Sequence, residues 1–118
     1  MRSLPAHRRF LFAAVLACAI ASCGYVEATV TEYVGVPRFP PGDPARVQVL
    51  RAEPMAPHDR LGEILLRISV DPPPPIADVE QRLREEAAKM GASAVFVVRD
   101  QVLPGAERHL IGVAIRNR

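Results

Sequence analysis

The sequence predicts an α+β fold in which four or five mostly antiparallel strands form a sheet and one helix packs on one face, in the order ββαββ. Three observations predict it. Residues 62–70 alternate apolar and polar side chains, as a half-buried strand does. Residues 79–90 repeat apolar side chains at helical spacing. The connections between the elements are short, which favours neighbours that pack antiparallel.

The strands ahead of the helix are predicted from patterns of period two. Val47 and Val49 alternate with polar neighbours, which predicts a strand at residues 45–51, and a loop follows at residues 54–60. In the next strand one face holds Ile64, Leu66, Ile68 and Val70. Residues 28–36 are rich in Thr, Val and Tyr, so an additional short strand there is an open alternative.

The helix is predicted over residues 79–90. Asp78 is placed to cap its first turn, and Gly91 suits the left-handed position just after its end. The predicted core face holds Val79, Leu83, Ala87 and Met90. Adjacent helical residues point about 100° apart, so Glu85 and Glu86 are expected on a solvated face and not as a paired acid and base.

Two strands are predicted after the helix. Residues 94–99 are almost continuously apolar, which indicates a strand covered on both faces. Residues 100–107 contain Pro104 and Gly105 and are predicted to form a loop. Residues 109–116 alternate again and complete the sheet.

The first 22 residues have the three parts of an export signal. Arg2, Arg8 and Arg9 give a positive start, residues 10–20 are apolar, and small residues follow. Eleven residues at a rise of 1.5 Å cannot cross a hydrocarbon core about 30 Å thick. We therefore expect the leader to be cleaved, and we do not expect it to remain as a permanent membrane helix. Arg8 and Arg9 also resemble the start of a twin-arginine signal, which leaves the export route open.

The tetrapeptide Ile20-Ala21-Ser22-Cys23 resembles the lipobox of bacterial lipoproteins. The resemblance implies that Ile20, Ala21 and Ser22 are recognised by the lipoprotein signal peptidase. It also implies that the Cys23 sulfur, a nucleophile as thiolate, is lipidated and becomes the first residue. Gly24 follows where Asp would retain a lipoprotein in the inner membrane, which implies sorting to the outer membrane, facing the periplasm, in a host with two membranes. An ordinary secretory signal with an incidental Cys23 is the alternative.

The predicted mature chain is one small domain. Removing residues 1–22 leaves 96 residues, with residues 23–44 as a lipidated N-terminus and tether, and residues 45–118 as the folded domain. Three arginines leave with the leader, so twelve basic residues remain against thirteen acidic ones. This balance argues against a nucleic-acid partner. Cys18 also leaves, and Cys23 takes lipid, so no disulfide within the chain is expected.

Four segments within residues 41–100 resemble a group of small bacterial lipoproteins of unknown function; they are 41–44, 47–50, 61–64 and 83–95. The junction Met90-Gly91-Ala92-Ser93-Ala94-Val95 is also similar to YbjQ-like domains and to the outer-membrane sensor lipoprotein of the Rcs envelope-stress pathway. That sensor has disulfide-forming cysteines in its folded domain, and the predicted mature domain of this chain has none. The resemblance implies an envelope protein with a helix running into a buried strand.

The sequence offers no set of residues for a known chemistry. His58 and His109 survive processing in separate segments, and they are expected as a solvated loop histidine and a strand-edge histidine. Ser69 and Ser93 have no base partner nearby in sequence, and no phosphate-binding or dinucleotide fingerprint occurs. We therefore expect no enzyme activity, no cofactor and no metal site.

The predicted function is a non-catalytic interaction module held on the membrane by lipid on Cys23 and facing the periplasm. Its partner is expected to be an envelope protein, bound through an edge strand or through the prolines at 72–75. The alternatives are a small-ligand or metal-binding domain, as implied by the YbjQ-like resemblance, and a purely structural role.

Overall fold

A computed structural model describes residues 24–105 and 107–118. The predicted leader, its recognition residues and Cys23 lie outside the described residues. Within them the chain has a 3-10 turn at Pro44–Arg46, one α-helix and five strands. These are β1 (Val26–Glu32), β2 (Gln48–Leu50), β3 (His58–Ser69), α1 (Ile76–Lys89), β4 (Ala94–Leu103) and β5 (Glu107–Asn117). The described part of the chain is therefore an α+β fold, as predicted.

The five strands form one sheet in the order β1-β3-β5-β4-β2. β1 pairs antiparallel with β3, β3 with β5, and β5 with β4, whereas β2 pairs parallel with β4. The sheet is thus mostly antiparallel, with β1 and β2 at its edges. The predicted order ββαββ is not confirmed, because three strands precede the helix and two follow it.

The folded sheet begins earlier than residue 45, where the domain was predicted to start. β1 occupies residues that were predicted as tether or, alternatively, as a short strand. It ends at Glu32, and Val34, which the period-two pattern placed with the strand, is fully exposed. Pairing with β5 also extends β3 back to His58, into the predicted loop at 54–60. In contrast, the strand predicted at 45–51 shortens to three edge residues.

Helix α1 begins three residues earlier than predicted, at Ile76. Its cap is Pro75, whose side chain makes no capping hydrogen bond, so the prediction that Asp78 is the N-cap is wrong. The helix ends at Lys89, one residue before the predicted end, and Gly91 has the left-handed conformation expected after the cap, with a φ of 74°. An added Cβ on Gly91 would lie 2.5 Å from the Cβ of Phe39 and 2.7 Å from the Pro40 carbonyl oxygen, so residues 39–40 are packed directly against this turn.

The core lies between α1 and one face of the sheet. The helix buries Val79, Leu83, Ala87 and Ala88 against strand residues that include Ile64, Leu66, Ile68, Val95, Leu110 and Ala114. Leu83 is 1% exposed, so the predicted helix phase is correct there. The prediction for Glu86 is wrong. It is 7% exposed, and its carboxylate accepts from Arg82 at 3.2 Å and from Lys89 at 3.1 Å.

The hairpin of β4 and β5 is longer than the sequence predicted. Residues 100–103 and 107 belong to strands, although a loop was expected at 100–107. A bulge between Val97 and Arg99 shifts the register, and the Arg108 guanidinium donates to the Asp100 carboxylate at 2.7 and 2.8 Å. Val98 is half exposed, so the strand is not covered on both faces along its whole length.

No helix in the described part of the chain is long and apolar enough to span a bilayer.

Candidate functional site

The sheet has a second face, opposite α1, which we call the open face. Successive residues of a strand point to opposite faces of the sheet, so the strand residues that alternate with the core residues point to the open face. The pairs Leu65↔Ile111 and Arg67↔His109 join the two central strands on this side. No helix among residues 24–105 and 107–118 covers it. The open face is therefore a surface that the fold leaves available to a partner.

One end of the open face holds a hydrogen-bonded group that we call the Glu107 cluster, formed by Tyr25, Glu27, Arg67, Glu107 and His109. The Glu107 carboxylate accepts from Arg67 Nε at 2.9 Å and from Tyr25 Oη at 2.8 Å. His109 Nε2 lies 2.8 Å from the same carboxylate. Arg67 also reaches Glu27 at 3.5 Å. Residues from β3, β5 and the N-terminal segment thus converge on the Glu107 carboxylate, and Glu27 of β1 contacts Arg67.

These contacts explain the protonation behaviour of the Glu107 cluster. Hydrogen bonds from Arg67, then His109 and Tyr25, stabilise the charged form and lower the pKa of Glu107 to about 2. The hydrogen bond from Tyr25 to Glu107 raises the pKa of Tyr25, because the phenol loses its proton less readily when it donates that proton to a carboxylate. Near neutral pH Glu107 is therefore an ionised acceptor whose lone pairs are already in use.

A second group, the Glu53 cluster, lies at the opposite end of the sheet and comprises Glu53, His58 and Arg60. Arg60 Nε donates to Glu53 at 2.8 Å, and a second guanidinium nitrogen also contacts this carboxylate. Arg60 and then His58 lower the pKa of Glu53 to about 2. His58 Nδ1 lies 2.7 Å from the Ala56 carbonyl and Nε2 lies 2.8 Å from Glu53. The Ala56 carbonyl and the Glu53 carboxylate are both hydrogen-bond acceptors. They therefore raise the pKa of His58 and favour its imidazolium form.

An apolar strip runs across the open face between the two clusters. It consists of Leu50, Leu65, Phe96, Ile111 and Val113. Leu50, Leu65 and Ile111 are half-buried, whereas Phe96 and Val113 are buried. The Arg60 guanidinium lies 5.9 Å from the centre of the Phe96 ring, so a charged side chain covers part of the strip.

The histidines occupy different positions from those predicted. His58 was expected in a solvated loop, but it lies in β3 and its side chain is 12% exposed. His109 was expected at a strand edge, but β5 pairs on both sides. Each histidine contacts a carboxylate that sequence reasoning did not single out. The spacing Glu107-x-His109 on an alternating strand was the available signal for one of these pairs.

Ser69 is part of a backbone contact that we call the Ser69 clamp, together with Gly24, Tyr25, Pro72 and Pro74. Ser69 Oγ accepts from the Tyr25 amide at 2.8 Å and donates to the Pro72 carbonyl at 2.7 Å. The Ser69 amide donates to the Tyr25 carbonyl at 3.1 Å. The hydroxyl is therefore used in holding the N-terminal residues. The hydroxyl of Ser93 likewise contacts backbone, at Ile115 and Asn117.

A shallow open groove of about 710 Å³ lies along β2 between Gln48, Leu50 and Arg84, and the more enclosed spaces are smaller. Within residues 24–105 and 107–118, no three His, Cys, Asp or Glu side chains are grouped so that they could hold a metal ion. A cavity of about 150 Å³ lies between Tyr33, Phe39, Leu61 and Met90. Ligand pockets usually measure about 300–1,000 Å³, so this cavity would suit only a very small molecule.

Comparison with known proteins adds a structural likeness. No family model matches the chain, and no curated protein matches it. The fold is similar to that of a Francisella virulence factor, FvfA, in its orthorhombic crystal form, with a TM-score of 0.57 and 17% identity. The match covers 79% of this chain and all of that one. At this identity the likeness shows a shared fold.

Proposed function

We propose that this chain is a periplasm-facing lipoprotein, anchored by lipid on Cys23, that works as a non-catalytic interaction module. Its binding surface is the open face, and its partner is another protein of the cell envelope. The lipobox-like sequence at 20–23 supports the anchor. The observation that supports the surface is an apolar strip, left without a covering helix in the described chain, between two charged clusters.

This arrangement has the anatomy of a protein interface. Such interfaces combine an apolar centre with a polar rim, and arginine is enriched among their residues. Leu65 and Ile111 stand side by side in the centre of the open face. Arg67 lies towards one end and Arg60 towards the other, and both side chains are about half exposed, at 46% and 56%. A partner could bury the apolar centre while its own acidic groups approach the two arginines.

The electrostatics of the clusters support binding over catalysis. A general base works best when its pKa lies near the working pH. The carboxylates of Glu53 and Glu107 have pKa values of about 2 and already accept hydrogen bonds from arginine. They are weak proton acceptors near neutral pH, and they are better suited to fixing the arginines in place.

Site-specific photocrosslinking in intact cells tests this proposal. A photoreactive residue replaces Leu65 on the open face, and the matched control replaces Gln81, which is exposed on α1. We expect a discrete adduct from position 65 and none from position 81. Adding Ile111→Glu beside position 65 should abolish the adduct, because a charge then enters the apolar centre. Equal adducts from both positions, or an adduct that survives Ile111→Glu, would contradict the assignment of the open face.

A further inference from the structure

The Ser69 clamp holds the chain immediately after the predicted lipidation site. Gly24 lies so close to the backbone after β3 that an added Cβ would be 2.6 Å from the Pro72 carbonyl oxygen and 2.7 Å from the Pro74 nitrogen. Tyr25 is fixed by two hydrogen bonds to Ser69. Consecutive Cα atoms are 3.8 Å apart, so the Cα of Cys23 lies within one peptide unit of a fixed residue.

The topology gathers three segments around this point, which we call the anchor end. β1 and β5 start at this end of the sheet, and β3 and β4 finish there. The segments are residues 24–25, residues 70–76, and residues 102–105, which comprise the end of β4 and the start of the hairpin turn. Asp71 is the single charged residue among these thirteen, in a chain that is 24% charged. These three segments are therefore nearly free of charge, and the paired charges of the Glu107 cluster border them on the open face.

Several side chains at the anchor end are apolar and exposed. Ile76, the first residue of α1, is 76% exposed, Val102 is 62% exposed and Tyr25 is 46% exposed. Residues 72–75 are four consecutive prolines, and Pro104 lies in the hairpin turn. Apolar groups flanked by tyrosine match the boundary between lipid headgroups and acyl chains, where tyrosine is enriched.

We infer that the anchor end rests directly on the lipid surface and holds the domain in one orientation, with the sheet standing away from the bilayer. The inference rests on the proposed lipid anchor. Because the Ser69 clamp fixes Gly24 and Tyr25, no flexible linker separates a lipid on Cys23 from the fold. The anchor therefore brings the nearest apolar side chains to the membrane. The opposite end of β3, eleven residues away, is then held roughly 35 Å from the anchor end.

Single-tryptophan reporters test this orientation, because the chain has no tryptophan of its own. Ile76→Trp and Val102→Trp report on the anchor end. Val34→Trp and Met55→Trp are matched controls, since both residues are exposed and apolar and lie by the opposite end of the sheet. The lipidated variants are reconstituted in phosphatidylcholine vesicles containing brominated lipid, and fluorescence quenching is compared.

We expect quenching at positions 76 and 102 to exceed that at positions 34 and 55 at least twofold. A flexible insertion of Gly and Ser residues between Cys23 and Gly24 should reduce this difference. Equal quenching at the two ends, or no quenching at either, would overturn the inference.

Mass spectrometry of the N-terminal peptide tests the proposed lipid anchor separately from the inferred orientation. A peptide without lipid would refute the anchor alone. The orientation is then tested on the chain that begins at Cys23, its single cysteine, after a thiol-reactive lipid is attached to that sulfur. The same four reporters decide the result.

Discussion

The Ser69 clamp gives a prediction whose magnitude follows from two hydrogen bonds. Ser69→Ala removes the acceptor of the Tyr25 amide at 2.8 Å and the donor to the Pro72 carbonyl at 2.7 Å. A hydrogen bond of this kind contributes about 1 kcal/mol to stability. We therefore expect Ser69→Ala to lower the free energy of unfolding by about 2 kcal/mol. Because residues 24–25 can detach without unfolding the core, the loss should not greatly exceed this value.

Ser93→Ala is the matched control for Ser69→Ala. The Ser93 hydroxyl also joins two backbone groups, but it does so at the other end of the sheet. It accepts from the Asn117 amide at 2.9 Å and donates to the Ile115 carbonyl at 3.4 Å, which is long for a hydrogen bond. We expect a smaller loss, about 1 kcal/mol.

Urea unfolding combined with hydrogen exchange distinguishes the two serine variants. Ser69→Ala should accelerate exchange of the Tyr25 amide, whereas Ser93→Ala should leave it slow. If Tyr25 remained protected in Ser69→Ala, the clamp would not depend on this hydroxyl. If both variants released Tyr25 equally, the effect would be global and our assignment of the contact would be wrong.

Three further predictions address the core, the charge clusters and the histidines. Leu83→Ala should cost about 2–5 kcal/mol in urea unfolding, because it leaves a cavity under the helix, whereas exposed Gln81→Ala should be nearly neutral; equal losses would refute the helix phase. Glu107 has a pKa lowered from 4.5 to about 2, so its charge stabilises the fold above pH 4.5 and that contribution is lost as the pH falls towards 2. Glu107→Gln should therefore be less stable at pH 7 and lose less stability on acidification; an unchanged pH dependence of the urea midpoint would contradict this. The double variant His58→Ala, His109→Ala should retain the function in cellular complementation, and calorimetry of the parent should detect no stoichiometric zinc, copper or nickel; metal binding and function lost together would favour a metal-binding domain.

Local patterns predicted the elements that depend on local chemistry. The spacing of Val79, Leu83 and Ala87 gave the buried face of α1, and Gly91 gave its end, because both depend on residues within a few turns. The end of β4 was not predictable in this way. Residues 100–103 begin with Asp100 and Gln101 and lead into Pro104 and Gly105, so they resemble a loop, and they become strand because β5 pairs with them across the hairpin.

The candidate site depends on residues far apart in sequence, which explains why sequence reasoning missed it. Tyr25 and Glu107 are 82 positions apart, and Arg67 and Glu107 are 40 apart. A charged residue on an alternating strand indicates one exposed face, but it does not identify the strand beside it. Similarly, β2 was predicted as a strand, but its parallel pairing with β4 is set by the crossover through β3 and α1.

Metabolic labelling with a clickable fatty-acid analogue tests the central claim most directly. Cys18 and Cys23 are the two cysteines of the chain, so Cys18→Ser serves as the matched control for Cys23→Ser. We predict that the parent and Cys18→Ser incorporate label and are shortened by removal of residues 1–22. Cys23→Ser should remain an unlabelled precursor, because the thiol that accepts lipid is gone. Undiminished label on Cys23→Ser, or a parent that carries none, would contradict the lipid anchor.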